Sequence, residues 1–183
     1  MSYKIDYSTA LTALFTPIDP VFLLIMAGTL VISLGSIVYT KLKTGNARMP
    51  GMIMIAISAV VLTTIFAAPL LSVGSGWQLG ENELTIKAMP VTDTIAFSQM
   101  KIMLTDPKGP WKPVLRTNGY GTPGLSTGWF KLANGKKAVV FYHTGASKVL
   151  IVSAQERYYL IAHPGVERLY NNLIRKGVEK NVL

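Results

Sequence analysis

Cysteine is absent from this 183-residue chain. Disulfides, thiolate metal ligands and cysteine nucleophiles are therefore excluded, although the absence does not identify a redox compartment. Histidine is nearly absent. With only His143 and His163, a metal centre would need both rings and added carboxylates. We read them as a strand residue and a residue near a helix start, and expect neither metal nor cofactor. Acidic residues are scarce too, 9 against 18 Lys and Arg, for a net charge of +9. From Trp77 onward 14 basic residues face 7 acidic ones, a net +7. That balance favours anionic partners such as lipid headgroups or acidic proteins.

Charge is missing altogether from residues 21–40 (VFLLIMAGTLVISLGSIVYT) and 51–74 (GMIMIAISAVVLTTIFAAPLLSVG). About 20 residues rising ~1.5 Å each cross a ~30 Å hydrocarbon layer, so a two-helix transmembrane hairpin is predicted over 21–74. Asp19-Pro20 marks its start, an N-cap acceptor before a proline at the first helical position. Pro50 opens the second run, and Pro69 falls in its last turns. A secretory signal is a poor reading, because residues including Asp6 and Asp19 precede a run too long for one. With no Asp, Glu, Lys, Arg or His inside either run, transport through this hairpin alone is not expected.

Small residues form stripes within the runs. Thr29, Ser33, Ser36 and Thr40 share one face of the first helix, and Ala56, Ala59, Thr63 and Ala67 one face of the second. In lipid such stripes let backbones approach closely. They serve either to seal the hairpin against itself or to dock a partner. Since one span would suffice as an anchor, we expect the hairpin to take part in binding, with Ser33 and Ser36 at the contact. Ahead of it, Tyr3, Tyr7, Leu11, Leu14, Phe15 and Ile18 fall at helical spacing, with Ser8 as cap and Pro17 as stop. Residues 1–20 are thus predicted as an amphipathic helix, lying at the membrane surface or forming a packed or frayed terminus. Lys41, Lys43 and Arg48 crowd the inter-helix loop, against Lys4 and Lys87 on the outer flanks. The loop is therefore expected in the cytoplasm, with both termini outside the plasma membrane.

Residues 77–183 change character. Short β-rich runs are predicted at 83–89, 94–104, 129–132, 137–144, 148–154 and 158–162. Asn134-Gly135 reads as a two-residue hairpin turn in which both residues take positive φ. After Pro164, residues Val166, Leu169, Tyr170, Leu173 and Ile174 repeat at helical spacing. Residues 106–128 (DPKGPWKPVLRTNGYGTPGLSTG) read as the largest loop and a place for recognition.

Several motifs lack their setting. Gly124-Leu-Ser126-Thr-Gly128 fits G-x-S-x-G, with Glu156 and His163 following in hydrolase order. A strand follows Ser126 where a nucleophile elbow needs a helix, so no catalytic residue is assigned. Gly119, Gly121 and Gly124 fit G-x-G-x-x-G, but Pro123 interrupts them and no helix follows. Lys108, Lys112, Arg116, Lys131, Lys136 and Lys137 interleave with Trp111, Tyr120, Trp129, Phe130 and Tyr142. In a membrane-tethered β domain we read this as a polyanion or partner surface and expect no nucleic acid.

The string GLSTGWFKLANGKKAVVFYHTGASKVLIVSAQERYYLIAHPGVERLYNNL resembles bacterial PH-like domains of membrane-anchored proteins, and the likeness covers roughly 77–177. It implies a strongly bent sheet or partly open barrel of about seven strands with a C-terminal capping helix. It supplies no catalytic residues. The phosphate-holding basic cluster of phosphoinositide-binding relatives is represented here only by Lys87 and Lys101. The reading is a non-catalytic, membrane-anchored interaction module, an accessory or scaffold subunit whose partners are other membrane subunits or a second copy. The alternative is contact with anionic lipid through the basic face.

Overall fold

The computed structural model of the chain describes residues 1–42 and 48–180. These form two compact units, a hairpin over Ile18–Leu70 and a β unit that joins Met1–Pro17 to the chain from Leu71 onward.

The N-terminal segment differs from the single helix predicted over 1–20. It contributes strand β1 (Ser2–Lys4) and a short helix α1 (Tyr7–Thr12). Asp6, not Ser8, caps that helix by accepting from the Thr9 N–H at 2.7 Å. The physical reason is burial. Ile5, Ala10, Ala13 and Leu14 are enclosed within the β unit, whereas Tyr7, Phe15 and Ile18 of the expected apolar face remain exposed.

In the hairpin, α2 (Pro20–Leu42) and α3 (Arg48–Ala67) are followed by a 3₁₀ turn, Ala68–Ser72. Asp19 caps α2 as expected, accepting from Val21 and Phe22 at 2.8 and 3.0 Å. Lys43, placed in the predicted loop, lies outside the described residues. Phe22, Met26, Thr29, Ser33, Ser36 and Thr40 are the less exposed positions of α2. Their alternating spacing of four and three is that of a helix-packing seam. Gly51, Ile55, Ser58, Leu62 and Ile65 form the matching row on α3. The α2 hydroxyls donate to carbonyls one turn back, as from Ser33 to Thr29 and from Ser36 to Ile32 at 2.8 and 2.7 Å. Such bonding keeps polar side chains compatible with an apolar surround.

After the hairpin come β2 (Gly76–Leu79), β3 (Glu83–Ala88), β4 (Val91–Ala96), β5 (Met100–Thr105), β6 (Pro113–Thr122), β7 (Leu125–Leu132), β8 (Lys137–His143), β9 (Val149–Ala154) and β10 (Arg157–Ala162). Helix α4 (Val166–Arg175) and a short β11 (Glu179–Lys180) complete the unit. One sheet runs β1-β2-β3-β4, the other β11-β5-β9-β10-β8-β7-β6, and neither closes on itself. Within the second sheet β8 and β10 are parallel, with the other central pairs antiparallel.

Central strands of the larger sheet are buried on both faces, which is why they read as continuous apolar runs. Val139, Phe141, Leu150, Val152 and Ile161 point into the core shared with the smaller sheet and α4. Their neighbours Ala138, Val140, Ile151 and Leu160 face a second cluster under Trp111. The predicted strand 94–104 is broken by a 3₁₀ turn at Phe97–Gln99. The predicted loop 106–128 is mostly the β6–β7 hairpin.

The turns also differ from expectation. At Asn134-Gly135 only Gly135 has positive φ, 82°. Its N–H donates to Leu132 O at 2.9 Å, and Asn134 Oδ1 accepts from the Lys136 N–H at 3.0 Å. The mirror-type two-residue turn is instead Gln155-Glu156, with φ of 48° and 64°. Left-handed backbone costs a side-chain-bearing residue about 1–2 kcal/mol. Glu156→Gly is therefore expected to raise stability by about 1 kcal/mol, read as a higher thermal unfolding midpoint of the full chain in mild detergent.

Candidate functional site

The N-terminal strap is held at three points. β1 pairs antiparallel with β2, setting Tyr3 opposite Trp77 and Lys4 opposite Gly76. A side chain on Gly76 would strike the Tyr3 carbonyl, so the strap needs glycine there. The end of α1 meets the β6–β7 turn, where the Gly124 N–H donates to Ala13 O at 2.8 Å. A Cβ on Gly124 would press on Ala13 and Thr16. Gly119 sits directly opposite Gly128 across β6 and β7, each without room for a side chain. The glycines that imitate a dinucleotide motif therefore serve close packing.

The third point joins both histidines. Tyr3 stacks on His163 with ring centroids 4.0 Å apart, and its hydroxyl lies 2.6 Å from His143 Nδ1. His163, only 3% exposed, accepts from Trp77 Nε1–H at Nε2, 2.8 Å away. Its Nδ1 lies 2.9 Å from Pro164 O. An indole N–H only donates and a carbonyl only accepts, so the ring is neutral with its proton on Nδ1. Burial lowers the pKa of His163, and the Pro164 hydrogen bond opposes that in part. Burial likewise lowers His143 and raises the Tyr3 hydroxyl. The two histidines are thus a core latch for the strap.

Ser126 lies inside β7, opposite Gly121 and Tyr142, with no strand-to-helix turn around it. His163, its would-be base, has both nitrogens engaged.

The basic residues separate into groups. Lys131 stands directly opposite Lys137. Lys112 is exposed just before β6, and its carbonyl accepts from the Ala133 N–H at 2.9 Å. Lys136 is committed elsewhere, donating to the Tyr158 hydroxyl at 2.8 Å and lying 5.1 Å from the Trp111 ring centroid. Arg116 reaches back over Gly121, and Lys108 is exposed in the turn before β6. Sequence reading missed the edge itself. Among the described residues β6 pairs only with β7, and six successive residues from Val114 to Gly119 are exposed. Val114 and Leu115 keep 56% and 59% of their surface.

The stripes divide as well. Thr29, Ser33, Ser36 and Thr40 lie in the α2–α3 seam, where Gly51 leaves room for the Thr40 methyl. Ala56, Ala59, Thr63 and Ala67 are exposed, mostly one residue on from the seam positions, about 100° round the helix.

Two open sheets packed about one core and covered by a C-terminal helix place the β unit in the PH-like class. Residues 76–177 match the family described as bacterial PH domain. The match covers more than half of the chain, and the chain belongs to that family. PH domains are in general non-catalytic interaction modules. No curated protein and no solved structure matched the chain. Strap and hairpin both precede the matched residues.

Proposed function

We propose that the chain is a non-catalytic, membrane-anchored PH-domain module that serves as an accessory or scaffold subunit of a membrane protein complex. The observation that carries this is the free edge of β6. Exposed apolar edge strands invite pairing with another chain, and strand addition gives backbone hydrogen bonds with side-chain pockets for specificity. Two bulges and Pro113 keep the edge from being a flat template.

Membrane insertion fits the geometry of the strap. β1 precedes the first apolar helix and pairs with β2, which follows the second. Both must lie on one side of a bilayer, as an even number of spans requires. We place the β unit outside the plasma membrane and the Lys41 end of the hairpin inside. The exposed stripe Ala56, Ala59, Thr63 and Ala67 is the face for a partner helix, a role that passes from Ser33 and Ser36 because those sit in the seam.

Lys131 facing Lys137 favours the second reading, polyanion contact, since like charges directly opposite are destabilising unless neutralised. The discriminating experiment is co-purification in mild detergent from native membranes. Val114→Lys with Leu115→Lys is expected to cut partner recovery about tenfold or more, the loss of an anchoring contact, with the unfolding midpoint unchanged. Undiminished recovery would remove β6 from the account. A loss confined to Lys131→Gln/Lys137→Gln would favour the second reading.

A further inference from the structure

Charge along the β6 edge decides what kind of strand it accepts. Residues 107–155 contain seven Lys and Arg and no Asp or Glu. Asp106, at the border of that stretch, is paired with Lys148 at 2.6 Å, and Lys136 is bound to Tyr158 and Trp111. The other five, Lys108, Lys112, Arg116, Lys131 and Lys137, are exposed and have no ion pair among the described residues. Four of them gather at the free edge. Arg116 lies within β6 and Lys112 immediately before it. Leu115 pairs with Lys131, which pairs with Lys137, so two ammonium groups stand on the first two strands behind the edge.

The edge also has the dimensions of a strand-binding site. Val114 to Gly119 are exposed, and six residues at ~3.3 Å each cover about 20 Å, an ordinary strand length. β7 lies on one side of this segment and no described strand on the other. An added strand would run about 5 Å from β6 and about 10 Å from β7, beside Arg116 and within reach of the Lys131 stem. Charges on an edge act against indiscriminate pairing. They repel a basic strand, whereas an acidic strand turns the same charges into ion pairs. A second copy would bring its own β6 cations against these, and like charges directly opposite destabilise a sheet.

We propose that the β6 edge binds an extended acidic segment of a partner protein by strand addition. This rests on the reading of β6 as the recognition edge and names the chemistry of what it recognises. Backbone hydrogen bonds hold the segment along Val114 to Gly119, Leu115 supplies an apolar contact, and Lys112, Arg116, Lys131 and Lys137 select carboxylates. The repulsion between Lys131 and Lys137 is relieved on binding.

The test titrates the full chain in a neutral detergent with a fluorescent, end-blocked peptide of about eight residues that alternates glutamate with threonine, read by anisotropy. One saturable site is expected. Methylating alternate backbone nitrogens of the peptide should weaken binding about tenfold or more, because strand pairing loses its donors. Exchanging its glutamates for lysine should abolish binding. Lys112→Gln with Arg116→Gln should weaken binding about tenfold, the worth of two exposed ion pairs. Lys131→Gln with Lys137→Gln should give a smaller loss, and Lys87→Gln, on the other sheet, none. Equal binding of the methylated peptide, or tighter binding of a single-stranded oligonucleotide, would reduce the edge to a polyanion patch and overturn the proposal. A dimer of the chain that blocks the peptide would assign the edge to a second copy and overturn it as well. Partner recovery from native membranes separates this inference from the reading beneath it. If Val114→Lys with Leu115→Lys abolishes recovery while the acidic peptide does not bind, the edge stands and its acidic ligand falls. If recovery and peptide binding both ignore changes in β6, both fall.

Discussion

Ile5→Ala in the full chain is expected to lower the stability of the β unit by about 2–5 kcal/mol, the range for emptying a buried isoleucine site. Ile5 is 2% exposed. Its N–H donates to Ser75 O and its carbonyl accepts from Gly74 N–H, both at 2.8 Å. The residue thus locks the strap to the chain that leaves the hairpin. Against a typical domain stability of about 5–15 kcal/mol, that loss is large. Val114→Ala, on the open edge of β6, should change stability by about 0.5 kcal/mol or less. Chemical or thermal unfolding in mild detergent reads both. A strap that frayed or lay on the membrane would make the two variants alike.

Acidification should release the same latch. His163 and His143 have folded pKa values below the ordinary 6.5, first because of burial. The folded state therefore prefers neutral rings while the unfolded chain titrates normally. The stability this contributes is complete above about pH 6.5 and drains as pH falls below it. For His163 the slope is bounded by the worth of one proton, about 1.4 kcal/mol per pH unit. Protonation there would put a second N–H against Trp77 Nε1–H, which cannot turn round to accept. Tyr3 is different, since its hydroxyl can rotate to accept from a protonated His143. Glu167 pulls the His163 pKa up and His143 pushes it down, both weakly beside burial. The unfolding midpoint should thus fall as pH drops below about 6.5, and His163→Gln should flatten that fall. A midpoint indifferent to pH over this range would contradict the latch.

Much of the architecture was legible because burial wrote it into the apolar pattern. Val139 to Phe141 and Val149 to Val152 read as strands since both faces of their sheet are covered. Val166, Leu169 and Leu173 read as a helix since one face is buried. β6 was not legible. Its exposed residues have no apolar alternation, and its glycines, needed for close backbone contact with β7, look like loop residues. β1 escaped because three residues carry no period and their partner lies beyond the whole hairpin. Asn134-Gly135 misled in detail, since the mirror-type turn falls on Gln155-Glu156, where propensity argues against it and flanking register imposes it. Of the candidate surfaces, the lysines could be named from sequence, but not which were free. Lys136 is drawn onto Trp111 and Tyr158, and Lys131 faces Lys137 only through the pairing of β7 with β8. The small-residue stripes were visible on both helices, yet which one faced inward depended on Gly51 lying opposite Thr40.

The central claim is that strap and PH domain lie together on one side of a bilayer that the hairpin crosses. The chain's lack of cysteine gives a clean background for single substitutions at the exposed positions Ser2, Leu42 and Asn134. Ser2→Cys and Asn134→Cys should both react with a membrane-impermeant maleimide on intact cells, and Leu42→Cys only after permeabilisation. Labelling of Ser2→Cys and Asn134→Cys from opposite sides, or of Leu42→Cys together with them, would contradict the account.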